Sequence, residues 1–499
     1  MNLIKKFLPA ILVILLSYWA IKPLFLSGFF PIHDDTQVAR VYEMGKALTD
    51  GMFPVRWVSD LGYGYGYPIF NFYAPLAYYF GGAINALGID ALLSTKIMMI
   101  VGIILSGVFM YLLARELWGK IGGLTSSLFY VYAPYHALDI YVRGDVAEFW
   151  AYAFIPLAFY GFLKAYKEKK WKYIVIGAFG FSGVILSHNL TAMMITPFLI
   201  FLLFFLILSD TKEKIGSTFY FLISLFFGLS ISAFYWLPAL VEMKFTNVLS
   251  QVGGGANFPD HFVCIGQLWS SPWAYGGSAL GCTDGLSFMI GKLHILVSIA
   301  SVVGVSLLVL FKKHRQDTEK VLIAVFSFLG FIFSIFLTLE VSKFIWQTIS
   351  PMAFFQFPWR FILMVSFFSS LLSGEFIWLI TFLPIKRLFP HFVLEISALL
   401  IFALLFLNVK FFIPQKFLQV NPNYYTNEYS LKWTTSKISD EYLPKDTKKP
   451  KNAKEALLNK QIFIFKETPI EKAANLISIS GIGILFIGII LSRKKTPYG

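Results

Sequence analysis

Residues 5–35 read KKFLPAILVILLSYWAIKPLFLSGFFPIHDD. Two lysines precede an apolar run, Phe7 to Leu26, of about the 20 residues a helix needs to cross a bilayer. The run is too long for a signal-peptide core and lacks a small-residue cleavage site, so it is expected to be a retained anchor. Directly beyond it stand His33 and two adjacent carboxylates, Asp34 and Asp35. Basic before the span and acidic after it is the order expected of a first crossing that leaves the N-terminus inside.

The same alternation continues along the chain. Of 499 residues, 57% are hydrophobic and 14% charged, with 54 Phe, and the mean hydropathy is +0.68. A soluble multidomain protein carries about 25% charged residues. Twelve spans are expected: 7–26, 97–114, 121–135, 149–165, 173–188, 191–208, 217–238, 292–311, 321–339, 359–383, 392–412 and 476–492. The net charge of +14 gathers in short clusters between them: Lys5/Lys6, Arg115/Lys120, Lys164 to Lys172, Lys212/Lys214, Lys312 to Lys320, Lys386/Arg387 and Arg493 to Lys495. These loops hold 20 Lys+Arg against 6 Asp+Glu, whereas the outer loops, leaving aside 413–475, hold 11 against 13. That asymmetry predicts a multi-pass cell-membrane protein with both termini cytoplasmic. It leaves no basic face with interleaved aromatics, so nucleic acid is not an expected partner.

Phe72 to Gly88 is apolar enough to cross, but a thirteenth crossing inverts every later loop. It is rich in Tyr, Gly and Pro and is expected to be an outer juxtamembrane or re-entrant element. The organisation is therefore an all-α polytopic domain over 1–412 with long outer loops 27–92 and 241–291. A small polar extracytoplasmic segment follows over 413–475, a partly ordered domain or mobile arm, and then a last span with a basic tail over 476–499. After the acid pair, Val38, Val41, Tyr42 and Leu48 are spaced for one helix face lying on the membrane.

No Walker loop, CxxC pair or HExxH is present, and Gly62, Gly64 and Gly66 lack a dinucleotide spacing. The alternating tyrosines there suit either sugar stacking or an aromatic belt. Asp34 or Asp35 can cap the following helix, with Gln37 completing a capping box. One cap leaves one Asp over, and paired acids beside His33 suit a general base or a cation site. The next outer loop carries Arg143, Asp145 and Glu148, with His136 and Asp139 nearby; a solvated loop or a second half of the same site explains them. His188 sits in a hairpin on that face, as a polar turn or a ligand contact. Five of the seven histidines (His33, His136, His188, His261 and His294) fall on the outer side. Trp359-Arg360 is an interfacial anchor or a phosphate contact, and Arg56 is a second basic candidate. Glu375 is the acid set deep in a span. Cys264 and Cys282 share one outer loop and are expected to pair.

The order of these elements resembles the GT-C superfamily of membrane glycosyltransferases, in which an essential Asp follows the first span and a second acidic cluster stands in the next outer loop. Leu268-Trp269-Ser270-Ser271-Pro272-Trp273-Ala274-Tyr275-Gly276, Gln356 to Arg360 and Asp440-Glu441-Tyr442-Leu443-Pro444 resemble the YfhO-like and pyruvoyl-tetrahydropterin synthase-related membrane proteins. The resemblance implies transfer of a sugar from a polyprenyl-phosphate donor to an extracytoplasmic glycan, lipid or protein acceptor. Asp34, Asp35 and His33 are then the expected catalytic residues, and Arg143, Arg360, His188, Arg56 and Trp359 the substrate contacts. Asp145 and Glu148 are the expected holders of a divalent cation, Mg or Mn. The competing class is a transporter or flippase of a lipid-linked sugar, which favours midplane charges and paired repeats; a non-catalytic scaffold leaves the outer acids unexplained.

Overall fold

A computed structural model describes residues 2–210, 213–248, 256–310, 318–383, 390–459 and 463–494. The basic clusters expected around Lys212, Lys312 to Arg315, Lys386/Arg387 and Lys495 lie wholly or partly outside these. The described chain is helical, with four isolated β-bridges. Its main helices are α1 (Asn2–Leu16), α2 (Gln37–Thr49), α3 (Leu76–Ala86), α4 (Ala91–Val131), α5 (Val146–Glu168), α6 (Trp171–Ser187), α7 (Asn189–Ser209), α8 (Lys214–Ile231), α9 (Ala233–Glu242), α10 (Lys292–Leu310), α11 (Thr318–Thr338), α12 (Ile362–Ile380), α13 (Phe392–Asn408) and α14 (Pro469–Lys494).

Ten segments of the described residues are long and apolar enough to cross a membrane, against twelve expected. Part of the difference lies in α4. Gly119 takes φ 79°, and Ser127 Oγ donates to Gly107 O at 2.7 Å across 20 residues. A straight helix sets such residues about 30 Å apart, so α4 is a hairpin folded at Gly119, between the spans expected at 97–114 and 121–135. The span expected at 173–188 is α6, whose 17 residues fall just short of the length.

Two packing relations position the site. Antiparallel α5 and α6 touch backbone to backbone: a Cβ on Gly161 meets Gly177 N at 2.2 Å, and one on Gly180 meets Ala158 N at 2.5 Å. Small residues allow that approach, and the same register, continued outward, sets Glu148 level with residues 189–190. The second relation is α12, buried along almost its whole length, which packs on α4, α10 and α11 and brings Arg360 to the same end.

The layer built from residues 27–92 and 413–475 differs from expectation. α2 forms where its periodicity indicates, but its apolar face does not meet lipid. Val38 and Val41 are 1% and 0% exposed, and the helix packs on α3. Gln37, Arg40 and Glu43 are buried as well, so α2 is an internal helix. The Phe72 to Gly88 element holds only α3, 11 residues or about 16 Å, too short for a hydrocarbon core of about 30 Å. The segment 413–475 docks on the loop 27–92. Phe29 and Leu418 pair as a bridge, Tyr63 OH donates to Asp440 Oδ2 at 2.8 Å, and Tyr67 OH accepts from Tyr442 N at 3.2 Å. Cys264 and Cys282 are disulfide-bonded.

Candidate functional site

The two acidic loops meet through their backbones. His33 N donates to Val142 O at 3.1 Å and Asp34 N to Arg143 O at 2.9 Å, while Gln37 Nε2 donates to Gly144 O at 2.8 Å. Gly144 makes this possible. It is left-handed at φ 67°, and a Cβ there falls 2.4 Å from Ile32 Cδ1. Neither aspartate caps α2. Its N-cap is Thr36, with no side-chain cap bond, and Gln37 reaches only the main-chain oxygen of Asp34.

Residues 139–143 form a π-helical turn, which stacks Asp139 under Arg143. Arg143 is the hub of the site. Its guanidinium donates to Asp139, to Asp145 Oδ2 at 2.8 Å, to Glu148 Oε2 at 3.1 Å and to Tyr135 OH at 3.1 Å, and it lies 4.7 Å from the Trp359 ring centre. Tyr135 OH donates to Glu148 Oε1 at 2.5 Å. Asp145 caps α5 by accepting from Glu148 N at 3.1 Å. Arg360 approaches from the start of α12, 3.8 Å from Asp145 Oδ2 and 3.5 Å from Glu148 Oε2. It is 9% exposed, and its Nε and Nη1 have no hydrogen-bond partner.

The electrostatics separate the two neighbouring aspartates. Asp34 is pushed up by burial and by the charge of Asp145, against the pull of Arg40, Arg143 and Arg360. Asp35 is pushed up to about 6 by burial alone, and its charge bears on Tyr425 instead. Asp34 therefore faces the cluster and Asp35 faces the docked segment. Burial raises Asp145 too, but Arg143, His188 and Arg360 together hold it down at about 2. Burial lowers His188, outweighing the two carboxylates that favour its charged form.

The other expected residues sort as follows. His188 joins Asp145 and Glu148, as the hairpin register requires. Arg143 is not free to grip a substrate, because its donors are committed to three carboxylates and a tyrosine. Trp359 is a buried wall beneath Arg143, 3% exposed. Arg56 lies elsewhere: it donates to Asn71 Oδ1 at 2.8 Å and Asn475 Oδ1 at 2.9 Å and pairs with Glu471, tying α14 to the first outer loop. The His33 ring is held by Tyr275 O at 3.1 Å, not by either aspartate. The abundance of outer histidines misleads, since His136 and His294 are wholly buried against the carbonyls of Val131 and Phe129. Two contributors escape a sequence reading. Tyr135 reads as the end of a span. Arg40 reads as the polar face of α2, yet it lies 4.2 Å from the Tyr73 ring centre, donates to Ser439 Oγ at 3.1 Å and bears on Asp34.

Among the described residues, Asp145, Glu148 and His188 offer ligand atoms all within 4.8 Å of one another. The donor set fits a divalent cation in kind. Two carboxylates and a neutral imidazole are ordinary ligands, and His188 Nδ1 bonds Thr191 Oγ1 at 2.8 Å, which leaves Nε2 for a metal.

Comparison with known proteins agrees with this architecture. Residues 70–252 match the family described as "6-pyruvoyl-tetrahydropterin synthase related domain; membrane protein". An uncharacterized protein of Lactococcus lactis subsp. cremoris is 26% identical over 242 residues, 47% of this chain and 39% of that protein. Among solved structures, the Archaeoglobus fulgidus oligosaccharyltransferase in its apo form superposes with a TM-score of 0.55 at 14% identity, over 83% of this chain and 56% of that one. The same archaeal enzyme, AglB, in complex with an inhibitory peptide and a dolichol-phosphate gives 0.53 at 13%, over 82% and 56%. The mycobacterial arabinofuranosyltransferase AftD gives 0.51 at 10%, over 84% and 28%. The chain thus spans about half the oligosaccharyltransferase and less than a third of AftD. Its fold is similar to that of these solved glycosyltransferases, and it is a multi-pass membrane protein.

Proposed function

We propose that this protein transfers a sugar from a polyprenyl-phosphate donor to an acceptor hydroxyl on the extracytoplasmic face. The observation that carries the reading is the convergence of Asp34 with Asp145, Glu148, His188 and Arg360 at one point of a GT-C fold. Asp34 is the general base. Burial and a neighbouring carboxylate raise its proton affinity, which makes it a stronger base than an exposed aspartate. It takes the acceptor proton as the acceptor oxygen forms its bond to the anomeric carbon. The bond from that carbon to the phosphate oxygen breaks, and the electron pair leaves with the phosphate. Arg360, with Nε and Nη1 unbonded, aims donors at the charge that develops there. A divalent cation held by Asp145, Glu148 and His188 supplies further neutralisation of the phosphate when bound. The acceptor class is a cell-envelope glycan, lipid or protein.

Purified protein given a labelled polyprenyl-phosphate sugar and candidate acceptors tests this reading. Asp34→Asn is expected to lower transfer by about 10²–10⁴-fold, the usual worth of a general base, with unchanged expression and elution. Wild-type transfer by Asp34→Asn removes the base from this site. Movement of the labelled lipid between leaflets without a new glycosidic bond moves the protein to the flippase class.

A further inference from the structure

The motif Leu268 to Gly276 takes no part in the carboxylate cluster, yet it walls a cavity of about 440 Å³ at the same end of the bundle. His33 bonds the main chain of Tyr275, within the motif, and Asn408 donates to Tyr132 O at 2.9 Å, so cluster and cavity share one face. Trp269, Ser271 and Trp273 line it from the motif, Lys292 from the start of α10, and Asn408 and Lys410 from the end of α13.

The lining is rich in donors and carries no carboxylate. Neither lysine forms an ion pair among the described residues; the ammonium of Lys292 lies 5.7 Å from the Trp269 ring centre and that of Lys410 lies 5.2 Å from Phe411. Ser271 is 5% exposed and its hydroxyl has no hydrogen-bond partner, and Trp273 Nε1 is buried and equally unpartnered. The first turn of α10 adds backbone N–H groups that the helix leaves free, at the positive end of its dipole. Such a set suits an anion with several acceptor oxygens. Its setting favours one attached to a lipid. α10 and α13 are both apolar enough to cross the membrane and the cavity lies at their ends, at headgroup level. An apolar groove of about 280 Å³ begins at Ala300, about 12 Å further along α10, and suits the chain.

We propose that this cavity is a second, separate site for the phosphate of a membrane lipid, seated between Lys292 and Lys410 against Ser271 and Trp273. It stands on the cavity residues and does not require the carboxylate cluster to be catalytic. The full chain in zwitterionic nanodiscs, offered a sugar-free polyprenyl phosphate with a photoreactive tail, tests it. Label is expected on peptides covering 269–273, 292–304 or 407–411. Lys292→Gln with Lys410→Gln is expected to cut that label by roughly tenfold, with elution and thermal unfolding unchanged. Trp273→Phe, which keeps the ring and removes the N–H, is expected to reduce it less. Absence of label on these peptides, or label that persists in the double variant, overturns the proposal. Displacement by inorganic phosphate at concentrations comparable with the lipid also overturns it, in favour of a free-phosphate site. Loss of label at Arg360→Gln with retention here leaves it standing.

Discussion

At the scale of single residues, the informative comparison is between Asp34 and Asp35. Sequence shows two equal carboxylates, and nothing local tells which one faces the cluster. The distinction comes from Val142 and Arg143, more than a hundred positions away, whose carbonyls fix the backbone of 33–34 and so aim Asp34 at the cluster. Asp35 is left half-buried facing the docked segment. Because its folded pKa of about 6 stands above the 3.8 of an open chain, the fold favours the protonated form. That contribution is complete below about pH 4 and is lost as pH rises through 6, leaving a cost of roughly 3 kcal/mol at about pH 8. Asp35→Asn is therefore expected to raise the unfolding temperature at about pH 8 and to change it little at about pH 4, with transfer retained. Equal effects at both pH values mean that the carboxyl is not shifted.

Among elements, the π turn 139–143 and the start of α12 bring two arginines to one carboxylate cluster with different duties. Arg143 donates to three acids, and removing it leaves buried charges uncompensated. Arg143→Gln is expected to cost about 3–5 kcal/mol of stability. Arg360 makes only long contacts to the same acids, so Arg360→Gln is expected to cost less stability than Arg143→Gln while lowering transfer by about 10²–10³-fold. Thermal unfolding in detergent alongside the transfer assay reads both, and a reversed ranking assigns the phosphate contact to Arg143. The spans and the acidic loops were legible because hydropathy and charge are properties of composition. The partner of α2 was not. An apolar stripe is satisfied equally by lipid or by protein, and only the packing of α3 decides. Arg40 and Tyr135 stayed hidden for the same reason, since each is ordinary for the helix that bears it.

For the whole molecule, orientation is the property to test. Cys264 and Cys282 are bonded to each other, so a cysteine introduced elsewhere is the sole free thiol. A cysteine at Lys167 is expected to resist an impermeant maleimide in intact cells, and one at Ser59 or Lys451 to react. Labelling at Lys167 from outside inverts the assignment of faces. The docking of the segment 413–475 on the first outer loop adds a constraint in time. Tyr63 N bonds Ser436 Oγ at 3.0 Å across 373 residues, a stretch that a ribosome takes on the order of half a minute to make. Through that interval the loop 27–92 is without the chain that will cover it. Arg56 waits as well for Asn475 and Glu471 in the last helix. The enclosure around Asp34 is thus finished only once residues 436–475 have been made, so a chain cut short before them carries the acids of the candidate site without the segment that covers them.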